Sequence, residues 1–166
     1  MQYERFVRDR QRALFRFGVV LCGDPVLAED LVQNVLGRAY ERWALVEAAD
    51  DANAYVRRML VNEFLGWRRR ARRSMPVADF GDDALPGAPD HAETRIDRID
   101  LSHRLATLPA KHRAALVLRY YAGLSFADVG EYLGCRESSA RSYVTRALAA
   151  LRVQMTAPTP VLDKEC

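Results

Sequence analysis

The fold turns on residues 124–152, LSFADVGEYLGCRESSARSYVTRALAALR. The pattern predicts a helix, a tight turn and a longer helix. Ser125 is placed to cap the first helix, and Asp128 three residues on completes a capping box. Val129 and Leu133 share a face that Phe126 can join. Gly134 supplies the left-handed residue that ends a helix. The second helix carries Ala140, Val144, Leu148 and Leu151 along one stripe. Ser138, Arg141, Ser142 and Thr145 lie on the other. Small residues, Gly130, Gly134 and Ala140, stand where two crossing helices must approach. The spacing fits a helix-turn-helix, whose second helix enters the DNA major groove. A plain helical hairpin shares this outline. The polar face argues for DNA: Arg136, Arg141 and Arg146 can reach phosphates or guanine edges, and Ser138, Ser139 and Ser142 leave room for close approach.

Working outward, charge is the next signal. The 166-residue chain is only +3 overall, but unevenly so. Residues 57–73 hold seven arginines and one acid, a net +6. Residues 74–103 hold seven acids and two arginines, a net −5. Residues 104–152 hold eight basic and three acidic residues, a net +5. Two basic blocks flanking an acidic one imply polyanion partners. Lys111 and Lys164 are the only lysines, and arginine suits bidentate phosphate and guanine contacts. Cys22, Cys135 and Cys166 are far apart, as are His91, His103 and His112, so no metal-ligand spacing is present and no cofactor is expected. Isolated thiols fit a reducing compartment. The start of the chain is dense in charge, unlike a signal peptide. The run Val19–Cys22 is far too short to span a membrane. A cytoplasmic protein is expected.

Residues 3–22 read as an amphipathic helix, with Tyr3, Phe6, Val7, Ala13, Leu14, Phe17, Val20 and Leu21 at helical spacing. Gly23 ends it. Asp24 caps the next helix, with Pro25 in the favoured first position. That helix is expected to run to about Trp43, with Leu27, Leu31, Val35 and Ala39 inward. Asp30, Gln33, Asn34, Gly37 and Glu41 form a polar stripe, readable as solvated surface or as a docking face. Residues 45–53 read as an acidic connection. A third helix over 54–73 packs Val56, Met59, Leu60, Phe64 and Trp67, and turns Arg57, Arg58, Asn62 and Arg69 outward. It closes on Arg68, Arg69, Arg70, Arg72 and Arg73. Such a cluster serves stability poorly; it is either a solubilising arm or a nucleic-acid contact. The nearby aromatics and Asn62 favour the latter, since splayed bases stack on rings and bond amides.

Residues 75–90, with Pro76, Gly81, Pro86, Gly87 and Pro89 among acids, break all periodicity and read as a linker between halves free to move. Ile96, Ile99, Leu105 and Leu108 resume the helical pattern. Pro109 opens a helix with Ala114, Val117, Leu118 and Tyr121 inward, ended by Gly123. Residues 156–166 read as a frayed tail. No stretch reads as a strand: the expected fold is all-α, in two small helical domains.

Two blocks, AEDLVQNVLGRAYERW and LPAKHRAALVLRYYAGLSFADVGEYLGCRESSARSYVTRALAAL, together resemble an extracytoplasmic-function (ECF) sigma factor. This is the minimal form of the sigma-70 superfamily, with regions two and four only. The stretch YVRRMLVNEFLGWRRRARR is most similar to the SigE-type group of actinobacteria. The resemblance implies region two over 1–74, an acidic linker over 75–95, region four over 96–153 and a tail over 154–166. It implies that Asp30, Leu31, Gln33 and Asn34 dock on the clamp helices of the polymerase largest subunit. It assigns Asn53, Arg57, Arg58, Asn62, Trp67, Arg68, Arg69 and Arg70 to the melted minus-10 element. Residues 48–53 would line a pocket for a flipped base. Arg136, Glu137, Ser138, Ser139, Arg141, Ser142, Thr145 and Arg146 would read the minus-35 element. The implied partners are RNA polymerase core, including its beta flap, and promoter DNA, with an anti-sigma factor as a conditional partner. Free, the chain would be a monomer. The recognition helix departs from the family's frequent Gly-Thr-Val-Lys-Ser-Arg, reading Ser138 to Tyr143 instead. Tyr143 replaces a usual basic residue, and Arg136 stands where a capping Ser is usual.

Two rival functions make distinct demands. A conventional helix-turn-helix repressor or activator needs a dimer surface and half-site symmetry, and leaves the basic block at 57–73 without a role. A nuclease built on Asp79, Asp82, Asp83 and Asp90 would place its metal ligands in a Pro/Gly linker, where geometry is not held.

Overall fold

The computed structural model describes residues 2–74, 101 and 103–156, and these contain helices and turns but no strand. The linker at 75–95, Ile96, Ile99 and the tail beyond 156 lie outside the described residues.

The first half opens with α1 (Tyr3–Cys22). Phe6, Leu14, Phe17 and Leu21, at spacings of three, four and eight, form its buried stripe. Gly23 ends it at φ 77°, its N–H bonded to the Val19 carbonyl. α2 (Pro25–Glu41) starts as expected: the Asp24 carboxylate accepts from the Val26 and Leu27 amides. Ala28, Leu31, Val35 and Ala39 face inward. α2 stops at Glu41, and residues expected to form a connection instead form α3 (Trp43–Glu47). Val46 drives this extra turn, being fully buried. Trp43 joins a ring cluster with Tyr3 and Phe6, its centroid 5.5 and 5.3 Å from theirs. α4 (Ala52–Ser74) crosses the α1–α2 pair and buries Val56, Leu60, Val61 and Phe64.

In the second half α5 (Ala110–Tyr120), α6 (Phe126–Leu133) and α7 (Glu137–Thr156) pack around Leu118, Val129, Ala140, Val144 and Ala147. The capping box is formed in full. The Ser125 hydroxyl accepts from the Asp128 amide at 3.1 Å, and the Asp128 carboxylate accepts from the Ser125 amide at 3.2 Å. Gly134 is left-handed at φ 64°. Gly130 has a separate reason to be glycine: a Cβ there would stand 2.7 Å from the Cys135 carbonyl oxygen, which tucks the turn under α6.

The halves also meet. Linker composition predicts units with little to hold them together, yet α4 and α1 contact α5 and α6. Arg58 Nη2 donates to the Glu131 carbonyl at 2.6 Å, and the Tyr132 hydroxyl donates to the Ala54 carbonyl at 3.1 Å. The Phe17 and Tyr121 rings stand 6.2 Å apart.

Candidate nucleic-acid and polymerase interfaces

The recognition face of α7 is built from its N-terminal turns. Arg136, Glu137, Ser138, Arg141, Ser142, Thr145 and Arg146 are exposed, and Ser139 is half-buried. Ala140 and Val144 anchor the opposite side, so the polar set cannot rotate inward. The Ser142 and Thr145 hydroxyls donate to carbonyls one turn back, Ser138 and Arg141. This satisfies them within the helix while their oxygens stay available. Arg141 is held from two sides. Its Nη2 donates to Glu137 at 2.8 Å, and its guanidinium lies 4.3 Å from the Phe126 ring centroid. Arg119 stacks on the same ring at 4.9 Å. A pre-placed guanidinium loses less freedom on meeting a phosphate or guanine edge. Tyr143 does not belong to this face. It turns toward His112, with ring centroids 5.2 Å apart.

On α4, Asn62 is exposed one turn beyond the exposed Arg58. Arg69 is exposed as well, while Trp67 and Arg68 are half-buried. Arg70 has another task. With Arg38 of α2 it donates to Glu63, which is only 7% exposed. This pair of cations satisfies a buried carboxylate and ties α2 to α4, so Arg70 is a structural cation before it is a DNA contact. Asn53 and Arg57 face a cavity of about 170 Å³ that Tyr121 and Ala122 of the second half close. Arg57 also stacks over Phe17 at 5.6 Å, and Arg58 over Tyr132 at 5.9 Å. Three residues assigned to the minus-10 strand therefore stand at the seam between halves.

The polar stripe of α2 is exposed at Asp30, Gln33, Asn34, Gly37 and Glu41. Leu31 is a correction: at 2% exposure it belongs to the core, and its side chain has no route to a partner.

Sequence reasoning missed Arg113. At 3% exposure it is a buried cation, and burial lowers its pKa to about 10, with Arg68 nearby acting in the same direction and Cys22 opposing. The signal was its position one turn before Val117 on the apolar stripe of α5. Among the described residues no group of His, Cys, Asp and Glu is disposed to hold a metal. No helix among them is long and apolar enough to cross a membrane.

Two family models match this arrangement: sigma-70 region 2 over residues 3–74, and sigma-70 region 4 over residues 98–151. The chain is 36% identical to the RNA polymerase sigma-E factor of Streptomyces coelicolor, over 95% of this chain and 88% of that one. The chain belongs to the ECF sigma factors. It is 32% identical to the ECF sigma factor SigL of Mycobacterium tuberculosis, over 86% of this chain and 82% of that one. The fold is similar to that of the sigma factor RpoE of Bartonella quintana, solved in complex with the anti-sigma factor NepR. The TM-score is 0.70 over 95% of this chain and 98% of that one, at 24% identity. This sigma factor directs core RNA polymerase to promoters. Sigma factors are promoter-recognition subunits rather than enzymes, and neither rival reading explains a region-two match over the first half.

Proposed function

We propose that this sigma factor divides promoter recognition between its halves at the residues described above. Arg136, Glu137, Ser138, Ser139, Arg141, Ser142, Thr145 and Arg146 read the minus-35 element as duplex. Asn62, with Trp67, Arg68 and Arg69, captures the melted minus-10 strand; Asn53, Arg57 and Arg58 join it once the halves part. Asp30, Gln33 and Asn34 meet the largest-subunit clamp helices, and the second half meets the beta flap. Melting needs no catalytic group. Unstacking a base costs a few kcal/mol, which stacking and pocket contacts on the protein offset. The chain works in the cytoplasm, is a monomer when free, and accepts a protein partner of the anti-sigma class.

The observation that carries this reading is the placement of two exposed arginine-rich faces on separately packed halves, one on a recognition helix and one around an exposed amide. Run-off transcription with core polymerase on a promoter library tests it. Selected templates sharing two elements about two and a half DNA turns apart are expected. Transcription from core that is independent of the added chain would refute it.

A further inference from the structure

The outer face of α1 carries a line of cations to which the promoter reading gives no task. Arg8, Arg12 and Arg16 stand four residues apart, so helical geometry stacks them on one ridge at steps of about 6 Å. All three are exposed, and among the described residues none of them forms an ion pair. Arg5 continues the ridge toward the start of the helix, where Asp9 answers its charge at 3.9 Å. Like charges four apart oppose helix formation, so the ridge does not serve α1 itself. Neither end is isolated. Arg16 lines the cavity of about 170 Å³ that Asn53 and Arg57 face. Arg8 and Arg12 border a groove of about 440 Å³ between α1 and α2, shared with Phe15 and Gln33.

The neighbouring stripe on α2 constrains what the ridge can hold. Asp30 is an exposed acid there, followed by the exposed amides of Gln33 and Asn34. A partner surface complementary to that stripe is basic, and the same surface would be repelled by three arginines. Glu29, which lines the groove beside Arg8 and Arg12, pairs with neither. The ridge therefore calls for an anion, with charges repeated along a line. A nucleic-acid strand has that form, and guanidiniums hold its phosphates without regard to sequence. The position of the ridge selects the strand. Asn53 and Arg57 receive the melted minus-10 strand in the proposed function, so a strand leaving them meets Arg16 first.

We infer that Arg8, Arg12 and Arg16 form a phosphate track for the melted promoter strand, continuing the minus-10 face from α4 across α1. The inference rests on the proposed function for the strand's place at Asn53 and Arg57. It adds a contact that reads no base. Each phosphate neutralised on the track releases counterions and favours the strand on the protein over its return to the duplex. Tyr121 and Ala122 cover the cavity end of the track while the halves are together, so the whole track is open to the strand once they part.

The test uses holoenzyme assembled from core polymerase and the full chain. It is titrated with a fluorescent promoter template carrying a pre-melted minus-10 bubble, over a range of salt concentrations. Arg12→Ala with Arg16→Ala should weaken binding about tenfold at moderate salt. The log–log salt slope should fall by about 1.4, since each single-strand phosphate contributes about 0.7. The loss should be equal with a scrambled bubble, because phosphates carry no sequence. Arg10→Ala, an exposed cation on the other side of α1, should keep the wild-type slope. Titration of core with labelled chain should give the wild-type affinity for the double variant. A wild-type slope in the double variant would overturn the inference. Weakened core affinity with unchanged bubble binding would overturn it too, by making polymerase the occupant. The scrambled bubble separates the two readings. A wild type with no preference between bubbles contradicts the proposed function, while a lower slope in the double variant supports the track on either bubble.

Discussion

Arg113 Nη2 donates a hydrogen bond to the Val20 carbonyl at 3.3 Å, carrying a cation from the second half into the last turn of α1. That turn has no basic residue of its own. The end of a helix presents unpaired carbonyls and a partial negative charge, so α1 is completed by a residue more than ninety positions away. The Arg113 Nε is buried with no hydrogen-bond partner among the described residues. This placement is costly for a cation in isolation. It is tolerated because the closed halves supply a carbonyl and a negative helix end.

Gly23 makes room for this contact. A Cβ at Gly23 would stand 2.6 Å from Arg113 Nη2, and its φ of 77° is one that other residues adopt at a cost. Gly23→Ala is therefore expected to destabilise the chain by roughly 1–2 kcal/mol from backbone strain alone. It should also displace Arg113 and raise the radius of gyration. Thermal unfolding and small-angle scattering check the two effects. A variant with wild-type stability and size would count against the contact.

Arg141 gives a cleaner separation of placement from charge. Arg141→Ala should reduce the log–log salt slope of minus-35 binding by about one unit. Phe126→Leu keeps the charge but removes the ring under the guanidinium. It should weaken binding by less than Arg141→Ala does, while keeping the wild-type slope. Salt titrations of promoter fragments measure both. If Phe126→Leu changes the slope as much as Arg141→Ala does, Phe126 is not a positioning residue.

The thiols should differ in reactivity. Burial pushes Cys22 up to about 12, against an ordinary value of 9.0, with Asp24 adding and the Arg113 and Arg68 charges opposing. Cys135 is half-buried. Alkylation at pH 8 with peptide mapping should label Cys135 well before Cys22, since the thiolate is the nucleophile. The pH dependence has a defined sign. Between about pH 9 and 12 the unfolded chain has lost the Cys22 proton and the folded chain has kept it, so this contribution to stability, full below pH 9, falls as pH rises. Cys22→Ala should flatten that fall. Early labelling of Cys22 in the folded chain would contradict its placement.

Asn62 should read a base only after the base leaves the stack, because an amide needs a free edge to donate and accept. Asn62→Ala is expected to keep closed-complex binding and lose open-complex formation. A template with a pre-melted minus-10 bubble should restore much of the activity. The side chain is exposed, so stability should stay within about 0.5 kcal/mol of wild type. Equal loss on duplex and bubble templates with a lowered melting temperature would make the role structural.

The helix-turn-helix was legible because its signals are local. Ser125, Asp128, Gly130 and Gly134 each act within a few residues, and each does what its spacing implies. The exposed sides of α2 and α4 were legible too, apart from Leu31, where a motif match ran against the apolar stripe and burial prevailed. What stayed hidden depends on distant partners. Glu63 reads as one acid in a basic block until Arg38 of another helix is seen beside it. Arg113 stands on the apolar stripe of α5, but the Val20 carbonyl that receives it comes from α1 and is not visible in its own neighbourhood of the sequence. The turn at Trp43–Glu47 is too short to carry a period, and its cause is the burial of Val46. The contact between halves was hidden by the linker, whose composition says nothing about the surfaces it joins.

The promoter faces of the two halves are expected to work together only when the seam opens. A reversible lock tests this most directly. In a Cys135→Ser, Cys166→Ser background, Arg58→Cys with Glu131→Cys places two thiols at the seam, where Arg58 reaches Glu131 at 2.6 Å. A short bismaleimide with a reducible disulfide joins them, and buried Cys22 stays unlabelled. Run-off transcription with core polymerase is then compared before cross-linking, after cross-linking and after reduction. A loss of at least about tenfold is expected on cross-linking, corresponding to about 1.4 kcal/mol, with recovery to the uncross-linked level on reduction. Full transcription by the cross-linked chain would contradict it.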